Sequence, residues 1–394
     1  MPRTILDVHI LQTVPPNNLN RDDTGTPKTA YFGGALRARV SSQAWKRATR
    51  HAFGDLLDAR ELGTRTKRVA EFVAERIQER DATIPENEAW TLAAEVIKTA
   101  TGSPIEKKTR KTKSGSDDEE VAPESAYLMF LSARQRDALA ELAIEGRHDI
   151  TGFLKEKENK QRARQAADTH HSVDIALFGR MVADGADINV DAAAQVAHAI
   201  SVHAVDLESD YYTAVDDRRD DAEPGAGMIG TVEFNSATLY RYAALDVDQL
   251  RRNLGAGLRE DETTTEPVRR AVSAFLRGFV ESMPTGKANT FGNHTLPEAV
   301  VVKLRTARPV SFASAFEEPV DVGQPGGFLR GACARLASHV PEVERAFGLA
   351  ENTPTWVVRV GKATEPLADL GTEVPVTELV DQVGAAAAER AGSE

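Results

Sequence analysis

The first apolar pattern in the chain alternates with a period of two. Residues 5–11 read ILDVHIL, with alternate aliphatic positions on one face and Asp7 and His9 on the other, which predicts a strand. We expect His9 to be a half-buried residue of a sheet and not a catalytic base. A cluster of Pro and Asn ends this strand, and a segment rich in Asp, Thr, Gly and Pro then predicts a long loop as far as Gly33 and Gly34. Loops of this length commonly carry function.

Other stretches carry the helical period or a strand pattern. Apolar residues recur at helical spacing in 69–80, 88–100, about 133–145 and 266–282. The first three predict a helical insertion. An Ala-rich stretch after Gly185 predicts a helix that gives way to a short β-branched run, and PEAVVVKLRTARPVSF predicts a strand. The stretch 107–120 has a basic block followed by an acidic block, which predicts a solvated, disordered loop.

The segment from Gly33 to Arg50 contains five basic residues and no acidic one. Its second half predicts a helix capped by Ser41 or Ser42, with Trp45 on an apolar face. The other face brings together side chains at i, i+3, i+4 and i+7, namely Gln43, Lys46, Arg47 and Arg50. Because the N-terminus of a helix also attracts anions, this pattern predicts phosphate binding. A merely solvated basic face is the alternative.

The net charge of −12 argues against a nucleic-acid partner until its distribution is considered. Phosphate binding depends on Lys and Arg. Residues 1–50 hold eight basic and three acidic residues, a net charge of +5, so the rest of the chain carries −17. This segregation predicts a positive groove on an acidic body, with a scattered arrangement of the charges as the alternative.

An acidic segment is followed by a strand pattern in the middle of the chain. Residues 206–223 hold eight acidic and two basic residues around Tyr211 and Tyr212. Residues 228–245 then alternate like a strand, after a Glu-Pro-Gly sequence that favours a turn. We therefore predict a β-hairpin, which projects from the protein if the acidic stretch stays solvated.

Motifs for common chemistries are absent or out of context. GAGMIG (225–230) lies between an acidic loop and a strand, which is not the setting of a dinucleotide fingerprint, and Gly286 and Lys287 lack the glycine spacing of a P-loop. The histidines between 170 and 203 do not have zinc-ligand spacing. The single Cys333 excludes a disulfide framework and predicts a small core residue. We expect no metal, no cofactor and no catalytic residue.

The first residues also lack the apolar region of a signal peptide, and no apolar run approaches the length of a membrane span. We therefore expect a cytoplasmic protein with no membrane partner.

Five blocks of sequence resemble one known family. They are LNRDDTGTPKTAYFGGALRARVSSQAWKRA (19–48), VDIALFGRMVADG (173–185), YYTAVDD (211–217), IGTVEFNSATLYRYA (229–243) and PTGKANTF (284–291). They follow the family's order over most of the chain, and the first is long and specific. The helical insertion and the tail match only in position and character. The chain resembles the repeated backbone subunit of the type I-E CRISPR Cascade complex, the CasC family.

The resemblance implies an α+β fold shaped like a hand. A modified RRM-like, ferredoxin-like palm would carry a helical fingers insertion and a β-hairpin thumb. The implied boundaries are palm at 1–56, 171–205 and 231–394, fingers at 57–170 and thumb at 206–230. Copies would form a helical filament along one CRISPR guide RNA (crRNA) and, with other Cascade subunits, present it in segments for pairing with target DNA in antiviral defence. This role involves no enzymatic step.

The resemblance also implies roles for particular residues. Positions that grip the RNA backbone in the family match Arg21, Lys28, Ser41, Gln43, Lys46 and Arg50, and the basic helical face adds Arg47. Met181 matches a residue that packs against bases. The positions where a neighbouring subunit's guide is kinked match Tyr211, Tyr212, Thr213 and Ile229. The family often has other aromatic residues in place of the two tyrosines.

A metal-dependent ribonuclease is the alternative from another class. Related backbone subunits of RNA-targeting CRISPR complexes cleave with an aspartate in the loop that here contains Asp22 and Asp23. Two carboxylates beside bound nucleic acid could hold Mg²⁺. The simpler role for them is to cap the loop or to pair with Arg21 or Lys28. A generic RNA chaperone, which binds RNA without ordered stacking, is a third alternative.

Overall fold

A computed structural model describes residues 3–111, 118–181, 188–214, 228–255, 263, 265–321, 327–349 and 353–392. The strands are β1 Ile5–Asn17, β2 Thr29–Phe32, β3 Ala35–Val40, β4 Gly63–Thr66, β5 Ile105–Lys111, β6 Asp118–Ser125, β7 Met129–Ser132, β8 Ala194–Val196, β9 Ala199–Ser201, β10 Glu208–Ala214, β11 Met228–Asp246, β12 Ala299–Arg305, β13 Thr355–Arg359 and β14 Thr372–Glu373. The helices are α1 Ser42–Leu56, α2 Val69–Arg80, α3 Glu86–Thr101, α4 Ala133–Glu145, α5 Ile150–Lys155, α6 Lys157–Asp168, α7 Val173–Phe178, α8 Val247–Leu254, α9 Glu266–Glu281, α10 Ala288–Phe291, α11 Gly327–Phe347 and α12 Val376–Gly392. The protein is a mixed α+β fold.

The chain divides into two compact units. Unit 1 comprises Met1–Phe53, Gln195–Asp246 and Val272–Arg390, and unit 2 comprises Gly54–Ala194, Val247–Ala271 and Ala391–Glu394. The finer division into palm, fingers and thumb stays a prediction.

Unit 1 is built on a large sheet. Its strand order is β14-β13-β12-β1-β11-β9-β3-β2, and β8 and β10 also pair with β11. The β1–β11, β1–β12 and β12–β13 pairs are antiparallel, whereas β13–β14 is parallel. The long strand β11 thus pairs with β1 over most of its length and with β10 at its start.

Strand β1 is covered on both faces, because every residue from Ile5 to Gln12 is buried. The prediction of a half-buried His9 was therefore wrong, since the side chain is 1% exposed. The alternation in the sequence did not mark a solvated face. It marked polar residues that find partners inside the protein, as when Asp7 accepts hydrogen bonds from Arg305 Nε at 2.6 Å and from the Tyr242 hydroxyl at 2.8 Å.

Most of the helices and the strand predicted from periodicity are present. The patterns at 69–80, 88–100, 133–145 and 266–282 correspond to α2, α3, α4 and α9, and the run PEAVVVKLRTARPVSF contains β12. Helices α2, α3, α4 and α6 share the apolar core of unit 2. Cys333 is buried, as predicted, and burial raises the pKa of its thiol to about 12. Among the described helices, none has the length and apolar composition needed to cross a membrane.

Two predictions of local structure were wrong. The described part of the Ala-rich stretch after Gly185 contains strands β8 and β9 and no α-helix, because pairing with β11 and β3 overrides local propensity. The charged stretch 107–120 contributes to the antiparallel pair β5–β6. Its backbone register places Arg110 opposite Glu119 and Lys111 opposite Asp118. Residues 112–117 lie outside the described residues.

The burial of His9 predicts a pH dependence of stability. Desolvation first, and then the positive charges of Arg305 and Lys303, hold the pKa of His9 well below 6.5 in the folded protein. An unfolded chain takes up this proton below about pH 6.5, so protonation favours unfolding and stability falls as the pH falls. We expect His9→Phe to reduce this loss, by at most about 1.4 kcal/mol per pH unit. Urea unfolding between about pH 7 and pH 5 measures the effect, and the exposed His51 provides the control variant His51→Gln. Parallel pH profiles for wild type and His9→Phe would contradict the prediction.

Candidate nucleic-acid interface

The loop that carries Arg21 and Lys28 contains a turn closed by Asp22. The Oδ1 atom of Asp22 accepts hydrogen bonds from Thr24 Oγ1 at 2.7 Å, Thr24 N at 2.9 Å and Thr26 N at 3.0 Å. These bonds, led by the one from the Thr24 hydroxyl, lower the pKa of Asp22. Asp22 therefore caps this loop, which is one of the roles that the sequence left open. Within the described ranges, no cluster of three or more His, Cys, Asp or Glu residues is placed to hold a metal ion.

Two asparagine side chains attach this loop to the start of β11. Asn18 Nδ2 donates to the carbonyl of Gly25 across the loop and to that of Glu233 in β11, both at 2.9 Å. Asn17 Nδ2 donates to the carbonyl of Asn235 at 3.0 Å. These hydrogen bonds thus connect the loop to β11, the strand that also pairs with β10.

A third asparagine attaches the loop to the start of α1. Asn20 Oδ1 accepts a hydrogen bond from Ser41 N at 2.9 Å, and Asn20 O accepts one from Lys28 N at 2.8 Å. Ser41 is only 5% exposed, and its hydroxyl accepts a hydrogen bond from Ala44 N at 3.3 Å. Ser41 therefore fixes the first turn of α1 beside Lys28, and its contact with RNA stays a prediction.

Helix α1 has the two faces that its sequence predicted. Trp45, Thr49 and Phe53 are buried at a spacing of four residues. On the other face Gln43 and Arg47 are exposed, and Lys46 and Arg50 are half-buried. Partial burial lowers the pKa of Lys46. Within the described part of the chain, the side chains of Arg21, Lys28, Lys46 and Arg47 form no ion pair; their positive charge is therefore not neutralised by a neighbouring carboxylate.

A buried arginine from β11 lies under the apolar face of α1. The guanidinium of Arg241 lies 3.7 Å from the centroid of the Trp45 ring and 4.7 Å from that of Phe279 in α9. Its Nη1 donates to Gln12 Oε1 at 2.6 Å, and its Nη2 donates to the Phe279 carbonyl. Burial lowers the pKa of Arg241 to about 9. These contacts fix α1 against the sheet.

One arginine of the basic segment faces the protein interior. Arg37 is 0% exposed and donates to the carbonyls of Phe32, Ser201, Phe316 and Glu317 at 2.9–3.2 Å. The prediction that Arg37 contributes to a positive groove was therefore wrong, because its charge is buried. The predicted long loop before it was also wrong in part, because its last residues form strand β2, which Gly33 and Gly34 join to β3 in a two-residue turn with φ of 58° and 76°.

The two legs of the predicted hairpin pair as expected. Strands β10 and β11 are antiparallel from Glu208 opposite Phe234 to Ala214 opposite Met228, and residues 215–227 of the predicted turn lie outside the described residues. Thr213 is exposed and lies opposite Ile229.

The two tyrosines of β10 have different surroundings. Tyr211 is 66% exposed and pairs with Thr231, whereas Tyr212 is 45% exposed and pairs with Gly230. The ring of Tyr212 covers Gly230, since a Cβ atom added there would lie 2.5 Å from the ring. Successive residues of a strand point to opposite faces. Tyr211 is therefore the freer of the two side chains.

Met181 lies in unit 2 and is 86% exposed. The preceding Arg180 is buried and donates to the carbonyls of Ile188 and Ala167, at 2.7 Å and 2.9 Å from Nη2. These bonds fix the side chain of the residue before Met181 in the interior of unit 2. The remainder of its sequence block, residues 182–185, lies outside the described residues.

Comparison with known proteins now identifies the family. The sequence matches the CT1975-like protein family over residues 6–382. The chain belongs to this family. No curated protein matches the sequence.

Two solved structures contain similar chains. One, described as "CRISPR RNA-guided surveillance complex, pre-nicking", is 33% identical with a TM-score of 0.80, and the alignment covers 97% of this CT1975-like chain and 100% of that chain. Another, described as "CRISPR RNA-guided surveillance complex", is 29% identical with a TM-score of 0.70, covering 97% and 99%. The fold of this CT1975-like protein is thus that of a surveillance-complex chain along nearly its whole length.

Two residues beside Lys28 in this CT1975-like protein were not predicted from the sequence. Arg39 donates from Nη1 to Nδ1 of His198 at 3.1 Å. In the sequence, Arg39 is one of the eight basic residues of 1–50, and His198 is one of the histidines that lack zinc-ligand spacing. Because they are 159 positions apart, no spacing in the sequence indicated that they meet.

Arg37 and Arg47 form a matched pair for testing which charges are structural. Arg37→Met should lower the free energy of unfolding by about 3 kcal/mol or more, since it leaves several buried carbonyls without donors. Arg47→Met should change it by less than about 0.5 kcal/mol, because the side chain is exposed. Urea unfolding of both variants measures the difference. Equal effects would show that the buried hydrogen bonds of Arg37 contribute nothing.

Proposed function

We propose that this protein is an RNA-binding backbone subunit of a CRISPR surveillance complex of the Cascade type. The observation that carries the proposal is the set of unneutralised cations on the 19–28 loop and on α1, with Arg21, Lys28, Lys46 and Arg47 on one continuous piece of unit 1. Family membership and the two surveillance-complex chains support it. The finer assignment to the type I-E CasC group, with an RRM-like palm, helical fingers and a thumb, rests on the sequence blocks.

Recognition of the RNA backbone suits a subunit that must hold any guide. Phosphate contacts position a nucleic acid without reading its bases, whereas Watson–Crick pairing reads the target. The loop and α1 are held rigidly by Asn18, Asn20 and Arg241, so their cations are presented in a fixed arrangement. Copies of the protein would repeat this arrangement along the guide in a filament and leave base edges free for target DNA.

The β10–β11 hairpin acts by shape in this proposal. Its surroundings are acidic, with Asp206, Glu208 and Asp210 all exposed, so charge does not attract RNA to it. Stacking of an aromatic ring on a base contributes about 1–3 kcal/mol without any charge. Tyr211, which is the more exposed tyrosine, would insert beside a displaced nucleotide of the neighbouring copy's guide, while Tyr212 supports the hairpin by covering Gly230.

We propose no catalytic step. The ribonuclease alternative needs Asp22 or Asp23 to engage a metal ion, and the three hydrogen bonds accepted by Asp22 Oδ1 commit that atom to the loop. This favours the structural role for Asp22.

Backbone recognition predicts a change in salt dependence. The double substitution Lys46→Ala and Arg47→Ala should weaken binding of single-stranded RNA for every guide sequence. It should also reduce the slope of log Kobs against log salt by about 0.7 for each phosphate that the variant no longer neutralises. Fluorescence anisotropy at several salt concentrations measures both. Arg162→Ala is the control, because that exposed arginine already pairs with Glu145 at 2.8 Å. A loss of affinity that depends on guide sequence, or an unchanged slope, would contradict the proposal.

The two tyrosines predict separable effects. Tyr211→Ala should preserve the salt slope of guide binding but blur the regular pattern of base reactivity along the guide in an assembled complex, since the variant has no ring to stack on a base. Tyr212→Ala should lower the melting temperature, because it uncovers Gly230. Chemical probing of the bound guide and thermal unfolding measure the two effects. An unchanged reactivity pattern in the Tyr211 variant would mean that this tyrosine does not contact a base.

A further inference from the structure

The side chains of Arg39 and His198 are in contact beside Lys28 of the 19–28 loop, and neither of the two has an assigned role. Arg39 is in β3, and His198 lies in the short turn between β8 and β9. Arg39 N donates to the carbonyl of Lys28 at 2.9 Å, which places Lys28 next to Arg39 across the β2–β3 hairpin. Arg39 Nη1 lies 3.1 Å from His198 Nδ1, and the charge of Lys28 also acts on His198. All three residues belong to unit 1.

The hydrogen bond between Arg39 and His198 defines the state of the imidazole. A guanidinium has only donors, so Nδ1 of His198 must be the unprotonated acceptor. The proton of the neutral ring is then on Nε2, and the side chain is exposed. Arg39 also donates from Nε to the Thr29 carbonyl at 3.1 Å, and that bond holds the guanidinium at this position.

No carboxylate balances this cluster within the described ranges. Neither Arg39 nor Lys28 has an ion pair there, and the charged groups that act on His198 are Arg39 from β3 and Lys28 from the segment before β2. Partial desolvation first, and then the positive charges of Arg39 and Lys28, lower the pKa of His198 below 6.5. Positive charge concentrated without a partner is what a bound phosphate neutralises, and a neighbouring anion favours the protonated imidazole.

We propose that Arg39 and His198, together with Lys28, hold a backbone phosphate of the guide RNA, and that His198 takes up a proton when the phosphate binds. Protonation of Nδ1 breaks the hydrogen bond with Arg39 and frees the Arg39 Nη1 donor for the phosphate. In the free protein, the neutral imidazole of His198 accepts a hydrogen bond from Arg39. In the complex, Arg39 and the protonated His198 would each donate a charge-assisted hydrogen bond to the same phosphate instead. The inference rests on the proposed RNA-binding function and adds two residues and a proton to it.

Proton uptake gives the proposal a signature that a merely structural histidine lacks. If binding takes up a proton, affinity rises as the pH falls, by up to tenfold per pH unit for one full proton. We expect wild-type protein to bind oligouridylate about threefold or more tightly at about pH 6 than at about pH 7.5. Uridine bases and backbone phosphates do not titrate in this range, so the change reports on the protein.

The experiment compares His198→Gln and Arg39→Gln with wild type and with His51→Gln, which replaces the exposed histidine of α1. Calorimetric titration with oligouridylate, repeated in buffers of different ionisation enthalpy, counts the protons taken up on binding. Wild type and His51→Gln should take up a measurable fraction of a proton, and His198→Gln should take up close to none with an affinity that no longer changes with pH. Arg39→Gln should bind about tenfold more weakly with a lower salt slope. Melting of each RNA-free variant checks that it is folded.

The outcomes separate this inference from the function on which it rests. Salt-dependent RNA binding by wild type, with proton uptake unchanged in His198→Gln, would overturn the inference and leave the proposed function intact. Absence of salt-dependent binding by wild type would overturn both. Loss of uptake in His198→Gln, with normal uptake in His51→Gln, supports the assignment.

Discussion

The contact of the Arg241 guanidinium with Trp45 is the interaction on which the candidate interface depends. The cations on the exposed side of α1 can face solvent in a fixed direction only if its apolar side is held against the sheet. Trp45 and Phe279 supply aromatic faces to a fully buried cation, and such desolvated cation–π contacts contribute about 2 kcal/mol or more. Gln12 and the Phe279 carbonyl accept its hydrogen bonds, which offsets part of the cost of burying the charge.

The position of Arg241 in β11 links the helix to the other parts of the interface. The same strand pairs with β10 at its start, receives the Asn17 and Asn18 side chains at Glu233 and Asn235, and then passes under α1. The loop, the helix and the hairpin are therefore all held in place by contacts with one strand, β11. In the proposed function, a subunit that repeats along a guide would need this rigidity, because a small change in the angle between loop and hairpin would accumulate from copy to copy.

Local patterns predicted the elements of this interface better than they predicted the roles of its charges. The two faces of α1 follow from helical spacing, and the β10–β11 pair follows from alternation and turn residues, so both could be predicted from nearby sequence. Arg37 and Arg47 look alike in the sequence, yet one is buried among carbonyls from Ser201 and Phe316 and the other is exposed. Those partners are more than 160 positions away, and no local pattern contains them. A separation of 159 positions likewise hid the contact of Arg39 with His198.

Burial also changes what the charge of the chain means. Four arginines are buried and form hydrogen bonds inside the protein, so their charges are unavailable to a ligand. They are Arg37, Arg180, Arg241 and Arg305. The positive charge left for a ligand is smaller than the sequence suggests, and on unit 1 it includes the cations of the 19–28 loop, of α1 and of Arg39. On a chain with a net charge of −12, acidic surfaces elsewhere repel a polyanion. In the proposed function, RNA would bind the surface of unit 1 on which these described cations lack carboxylate partners, and repulsion by acidic surfaces would help to set its path.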